Sequence, residues 1–409
     1  MDATFPSQPT YVMAKPAGAL CNLACRYCYY TEKQQLYKQP GQTASMAMSD
    51  EMLETFVKQY IEAQPAGPVL FTWHGGEPMM RPITFYRRAL ELQRKYAGGR
   101  AIDNCLQTNG TLVTDDWARF LHDNHFLVGV SIDGPQRLHD AYRKSRMGRP
   151  SWRGVMQGID LLNRHGVEWN AMAVANKLTA EDPLEFYHFF KQIGCRFLQF
   201  TPVVERYYRH PDGRHLAAPT DGAVAQLTDF SITPGAWGEF CCTIFDEWVR
   251  HDVGETFVQL FDATLANWMG MTPGVCSLAE TCGHATALEH NGDLYACDHY
   301  VFPEFKLGNI RHTPLSTLTK LPALKQFGQN KRDLLTRECR ECTYRFACHG
   351  ECPRNRFARS TDGEEGHNYL CAGYRRFFTH VAPYMDFMKQ CLQRGEAPAL
   401  VMEHDFSQH

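Results

Sequence analysis

Between Tyr11 and about Val204, short apolar runs alternate with longer stretches in which apolar residues recur at helical spacing. The short runs are Tyr11 to Ala14, Val69 to Trp73, Asn104 to Gln107, Leu127 to Ile132, Trp169 to Val174 and Phe197 to Phe200. They predict strands, with helices between them. Leu53, Phe56, Val57, Tyr60 and Ile61 mark one helical face behind a Ser49 cap, and Leu184, Phe186, Phe189, Phe190 and Ile193 mark another; both are expected to pack as core. Strand-helix alternation of this kind builds a parallel sheet, and six units suit a partial or full βα barrel.

After Val204 the rhythm changes. A polar stretch from Tyr207 to Gly222 reads as a connection to two helices, expected around Phe240 to Val249 and Phe257 to Trp268, and cysteines become dense from Cys276 onward. Asn291-Gly292, flanked by Ala287-Leu288 and Leu294-Tyr295, predicts a hairpin with a two-residue loop. The expected organisation is a catalytic domain over 1–232, a helical connector over 233–275, a cysteine-rich module over 276–385, and a tail over 386–409 whose last ten residues are frayed.

Charge narrows the partners. With 42 Lys+Arg against 45 Asp+Glu, nothing suggests an electrostatic nucleic-acid binder or a polybasic membrane anchor. No apolar run approaches membrane-helix length, and the start (Met1-Asp2-Ala3-Thr4) has neither a basic nor an apolar signal region, so a cytoplasmic location is expected. In a reducing compartment the 16 cysteines are better explained by metal ligation than by disulfides.

Directly after the first predicted strand, Cys21, Cys25 and Cys28 form a C-x3-C-x2-C spacing on one loop. Three thiolates leave one iron of a [4Fe-4S] cube open to an outside ligand. A structural zinc site is the bland alternative, but it normally needs four closed ligands and the loop offers no fourth. Downstream, Cys276, Cys282 and Cys297, then Cys339, Cys342, Cys348 and Cys352, and finally Cys371 supply eight thiols. Eight thiols saturate two closed four-ligand sites, iron-sulfur or zinc. Cys105, Cys195, Cys241, Cys242 and Cys391 have no partner spacing and are expected to be small buried hydrophobes.

The triple-cysteine loop, with Tyr27 before its last Cys, resembles the signature of the radical S-adenosylmethionine superfamily. That resemblance implies an α/β fold: a partial (β/α)6 TIM-like barrel of the radical SAM type. It also implies that S-adenosyl-L-methionine chelates the open iron and is cleaved to a 5′-deoxyadenosyl radical. The segment His74-Gly75-Gly76-Glu77-Pro78 matches the superfamily's methionine-cradling motif, Ser131 the nucleoside contact and Leu198 a contact beside adenine. The later cysteines resemble a C-terminal cysteine-rich SPASM module binding two auxiliary clusters. The resemblance assigns Cys276, Cys282, Cys297 and Cys352 to one and Cys339, Cys342, Cys348 and Cys371 to the other, making three [4Fe-4S] clusters in all.

Within that group the likeness is to the anaerobic sulfatase-maturating enzymes. It is carried by "VMAKPAGALCNLACRYCYY", "TWHGGEP", "LQTNGTL", "FLVGVSIDGP", "FLQFTPVVER", "NGDLYACDHYVFPEFKLGNI" and "NYLCAGYRRFF". It implies oxidation of a Cys or Ser of an unfolded or nascent sulfatase polypeptide to Cα-formylglycine, fed by an electron donor such as flavodoxin or ferredoxin. By the same likeness Asp298 is the general base and Tyr30 lies near the substrate peptide. His74 stands where some family members have Gln. Two alternatives stay open: another SPASM peptide modifier forming thioether or carbon-carbon crosslinks, and a noncatalytic metal protein that binds a partner. No separate leader-binding domain is seen before Cys21, which favours the sulfatase reading over the first.

Overall fold

A computed structural model of the chain describes residues 9–37, 46–210, 213–221 and 225–406. The start Met1 to Thr4 lies outside the described residues, as do 211–212 and 222 of the polar stretch. The chain forms two compact units: Met1–Ser131, Tyr142–Trp169 and Gly283–Gly328 make the first, and Ile132–Ala141, Asn170–Cys282 and Gln329–His409 the second.

In the first unit β1 (Tyr11–Ala14), β2 (Val69–Trp73), β3 (Ile102–Thr108) and β4 (Leu127–Ser131) run parallel in the order β4-β3-β2-β1. The helix Asp50–Ala63 starts where expected, the Ser49 side chain accepting the Met52 amide at 3.2 Å. Its apolar face meets the sheet through aromatic edges, Tyr60 against Phe71 at 4.9 Å and Phe56 against Phe71 at 5.7 Å. Full burial of each such side chain contributes about 2 kcal/mol. A buried polar knot fixes the layer: Trp73 Nε1 and Gln93 Nε2 both donate to Asn104 Oδ1 at 2.9 Å.

The sheet of this unit continues past β1 with chain from far downstream. Ala285–Leu288 pairs parallel to β1, Tyr11 opposite Ala285 and Ala14 opposite Leu288, and is followed by antiparallel Asp293–Tyr295 and Lys306–Asn309. The hairpin was predicted, but its loop has three residues. Glu289 N donates to Asp293 O at 2.8 Å, leaving His290, Asn291 and Gly292 in the loop. Only Gly292 has positive φ, at 93°, whereas a two-residue type I′ turn needs two such residues.

In the second unit β5 (Trp169–Ala175, within this unit from Asn170), β6 (Phe197–Pro202) and Phe257–Val258 run parallel. The helix Pro183–Gln192 buries Phe186, Tyr187, Phe189 and Phe190. Leu184, expected in that core face, is 37% exposed because it lies in the first turn on the solvent side, and Ile193 caps the helix end. The polar stretch, expected to be a connection, folds back as paired strands Arg206–His210 and Gly213–Leu216. The two helices expected next run Pro234–His251 and Gln259–Trp268. The tail expected to fray instead forms a 3-10 turn over Pro398–Glu403 that buries Val401, while 407–409 lie outside the described residues. Among the described residues no helix is long and apolar enough to cross a membrane.

The long helix Cys371–Gln393 carries Cys371 at its first position and docks on Pro234–His251, with Trp237 and Tyr374 rings 5.6 Å apart. The two backbones meet at a glycine crossing. A Cβ on Gly373 would stand 2.2 Å from Pro234 O, and one on Gly238 3.0 Å from Gly373 Cα. We expect Gly373→Ala to lower the chemical-denaturation stability by about 2 kcal/mol, since backbone oxygen cannot yield as a side chain can. Gly235→Ala, with nothing within 4 Å, should not lower it.

Candidate active site at the strand ends of the first unit

The residues after β1 turn tightly, with Gly18 N donating to Lys15 O at 3.0 Å and Cys28 N to Cys25 O at 3.0 Å. Three neighbouring segments hold this cysteine loop, two by its backbone and one through the Asn22 side chain. Ala24 N donates to Lys144 O at 2.8 Å, Arg26 N to Tyr142 O at 3.0 Å, and Arg146 Nε to Cys21 O at 2.7 Å. From the end of β2, Gly76 N and Glu77 N donate to Gly18 O and Leu20 O, each at 2.8 Å. From the end of β3, Asn109 Nδ2 donates to Asn22 Oδ1 at 2.8 Å while Asn22 Nδ2 donates to Thr111 Oγ1 at 2.8 Å.

The glycine pair has a structural reason that composition alone does not show. A Cβ at Gly76 would lie 2.2 Å from Leu20 O, and one at Gly75, whose φ is 130°, 2.9 Å from Gly18 O. The space these glycines leave is filled by the cysteine loop itself. Glu77 is fully buried and turned inward, accepting the Met79 and Asn109 amides at 2.9 and 2.7 Å and the Thr108 hydroxyl at 2.9 Å. Burial pushes its carboxyl up to about 7 against these three donors. Its side chain therefore braces the β2 and β3 ends to each other.

Donors also point at the sulfurs: Thr31 Oγ1 lies 3.1 Å from Cys28 Sγ, Leu23 N 3.4 Å and Asn109 Nδ2 3.7 Å from Cys21 Sγ. None of the three thiols is in a disulfide. Three thiols on a backbone-fixed loop, already supplied with N–H and O–H donors, suit a cluster bound by three thiolates.

Beside the loop lies a buried charged group. Asp298 accepts short hydrogen bonds from Lys15 Nζ and from the Tyr29 hydroxyl, and Lys15 is fully buried. Burial alone would raise the Asp298 carboxyl, but the Lys15 ammonium, then His74 and His299, hold it well below the usual carboxylate range. Burial lowers the His74 pKa, and its Nδ1 is buried without a hydrogen-bond partner. An orphaned polar nitrogen beside a carboxylate is a place where a ligand group would be bound.

Tyr30, expected near substrate, is 3% exposed, and its hydroxyl donates to Glu289 while its ring lies 3.5 Å under the Lys15 ammonium. The tyrosine that reaches Asp298 is its neighbour Tyr29. Tyr27 is buried, with the Arg143 guanidinium 5.4 Å over its ring. Ser131 closes β4, half-buried, and Leu198 is buried in β6 of the second unit. Sequence reasoning missed Lys15, Asn22, Tyr29, Asn109 and Thr111. Each lies within or beside a quoted motif, but only the fold shows which neighbour it meets.

In the second unit Cys339, Cys342, Cys348 and Cys371 are free, and Cys339 Sγ lies 3.6 Å from His367 Nδ1. Glu338, His367 and Cys371 also present ligand atoms within 4.8 Å of one another. Cys276, Cys282 and Cys352 lie in the same unit outside any disulfide, and Cys297 immediately precedes Asp298 in the first. Of the cysteines without partner spacing, Cys195, Cys241, Cys242 and Cys391 are buried, and Cys105 is half-buried in β3.

Residues 17–190 match the radical SAM superfamily and residues 280–343 match an iron-sulfur cluster-binding domain, SPASM. The architecture is thus the α/β radical SAM fold with a parallel sheet and a C-terminal SPASM domain, built for [4Fe-4S] clusters and S-adenosylmethionine. The chain is 59% identical over 397 residues to a serine-type anaerobic sulfatase-maturating enzyme of Bacteroides thetaiotaomicron, covering 97% of this chain and 95% of that one. It is 31% identical to a cysteine-type enzyme of Clostridium perfringens, covering 92% and 97%. Native anSMEcpe with bound AdoMet and Cp18Cys peptide superposes with a TM-score of 0.80 at 30% identity, over 93% of this chain and 99% of that one. The chain belongs to the anaerobic sulfatase-maturating enzymes.

The brace at Glu77 yields a direct expectation. Glu77→Ala leaves two buried amides and a hydroxyl without their acceptor, and should lower stability by about 2 kcal/mol. It should also deplete iron from the Cys21 loop in anaerobically purified protein, while Glu91→Ala on an exposed face changes neither.

Proposed function

We propose that this chain oxidises a serine of a sulfatase polypeptide to Cα-formylglycine at the strand ends of the first unit, with Cys21, Cys25 and Cys28 holding the cluster that S-adenosylmethionine meets. The observation that carries the reading is the juxtaposition, in one unit, of this three-thiol loop with buried Asp298 and its half-buried neighbours His74 and Tyr29. Serine is favoured because the relative sharing 59% identity is serine-type. An electron donor such as flavodoxin or ferredoxin feeds the reaction.

The bound cofactors supply a 5′-deoxyadenosyl radical and an electron acceptor. The chain's own residues handle the proton and the positioning. A carboxylate held as acidic as Asp298 is a poor base toward an ordinary alcohol. It suffices once a hydrogen atom has left the substrate Cβ, because the hydroxyl on a carbon radical is far more acidic than on a saturated carbon. Lys15 and Tyr29 therefore make the base selective in time: the hydroxyl proton reaches Asp298 as the second electron departs, and the carbonyl forms. His74, with Nδ1 unpartnered, is positioned to hydrogen-bond an incoming polar group. Gly75 and Gly76 keep the β2 end close enough to the cysteine loop for both to face one ligand.

Reconstituted protein with dithionite, S-adenosylmethionine and a sulfatase peptide should release 5′-deoxyadenosine and yield peptide aldehyde, both read by mass spectrometry. Asp298→Asn should still release 5′-deoxyadenosine while aldehyde falls about 100-fold. Aldehyde formed at the normal rate by that variant would remove Asp298 from the mechanism.

A further inference from the structure

Lys331, in the second unit, lies near the end of the helix Pro322–Asp333 and is fully buried. A lysine so placed is normally matched by a carboxylate, because an uncompensated buried ammonium is unstable. Lys331 has none within ion-pair distance. Its Nζ donates to two backbone carbonyls, Cys276 O at 2.6 Å and Ser277 O at 2.8 Å, and its third N–H has no acceptor among the described residues. The buried carboxylate in its neighbourhood, Glu351, is engaged by Asn355 and Asn368 at 3.0 and 2.8 Å. Burial lowers the Lys331 pKa, and the charges that oppose this are the thiols Cys282, Cys352 and Cys276 and then Glu351.

A fully buried lysine hydrogen-bonded to the backbone of Cys276 and Ser277, with no carboxylate at ion-pair distance, implies a negative charge that the neighbouring thiols carry once they ligate metal. We infer that Lys331 is the built-in counter-charge of the auxiliary cluster to which Cys276, Cys282 and Cys352 contribute. This inference rests on the proposed function and deepens it. A fixed positive charge stabilises the reduced, more negative cluster and raises its reduction potential. That bias suits this cluster to accept the electron that leaves the substrate radical: the substrate loses one electron and the hydroxyl proton, Asp298 takes the proton, and the cluster is reduced by one electron. Lys331 is a positioning residue in this sense, because it acts on the acceptor and not on the peptide.

The test is a redox titration followed by electron paramagnetic resonance in a Cys21→Ala, Cys25→Ala, Cys28→Ala background, which leaves the two auxiliary clusters. Lys331→Met should shift one of the two reduction waves to lower potential and leave the other in place, and Lys331→Arg should restore it. If Lys331→Met does not hold iron, Lys331→Gln, which keeps a donor for the two carbonyls without the charge, is titrated instead. Waves unmoved in the neutral variants would overturn the inference, as would both waves moving equally. In the otherwise wild-type enzyme the same neutral variant should release more 5′-deoxyadenosine per aldehyde formed. The potentials are read without substrate, so failure of the proposed function would appear separately, as wild-type protein that makes no aldehyde.

Discussion

The structure depends on a backbone approach with no room for a methyl group. Gly76 packs against Leu20 O so closely that any Cβ would overlap it, and the amides of Gly76 and Glu77 satisfy two carbonyls of the cysteine loop. A loop presenting three thiols is rigid here without a disulfide, through main-chain hydrogen bonds from the β2 end and from the Tyr142 to Arg146 segment. Glu77 and Asn109 then tie the β2 and β3 ends to each other and to Asn22. The placement of the three thiols is therefore a property of the parallel sheet and not of the loop alone.

Charge is distributed by the same economy. Among the described residues two lysines are fully buried, Lys15 in the first unit and Lys331 in the second, and they differ in what opposes them. Lys15 meets a carboxylate directly and keeps Asp298 ionised where burial would otherwise neutralise it. Lys331 donates to backbone carbonyls and has no carboxylate at ion-pair distance. One lysine thus conditions a proton acceptor and the other, on our reading, an electron acceptor, which are the two services an aldehyde-forming oxidation needs after the hydrogen atom is gone.

Much of this was legible in the sequence because period and spacing report it locally. All six strands of the parallel repeat lie where apolar runs place them, and Ser49 caps its helix as its position suggests. The pairing of Ala285–Leu288 with β1 was not legible, since nothing local in either segment encodes a partner some 270 residues away. The hairpin loop was misjudged by one residue because Asn-Gly also suits a three-residue loop that needs positive φ only at glycine. Leu184 matched the helical period yet faces solvent, because one position in a first turn is decided by what packs there and not by periodicity. At the site, Tyr29 and Tyr30 are indistinguishable as adjacent aromatics. Only the fold sends one hydroxyl to Asp298 and the other to Glu289.

The central claim is that Cys21, Cys25 and Cys28 present a cluster with one iron open to the amino and carboxylate groups of S-adenosylmethionine. Electron-nuclear double resonance on the reduced protein, with the cosubstrate's amino nitrogen labelled as 15N, tests it directly. A nitrogen coupling of directly bonded strength, lost in the Cys25→Ala variant, is the predicted result. A reduced cluster at that loop with no coupling to the labelled nitrogen would contradict the account.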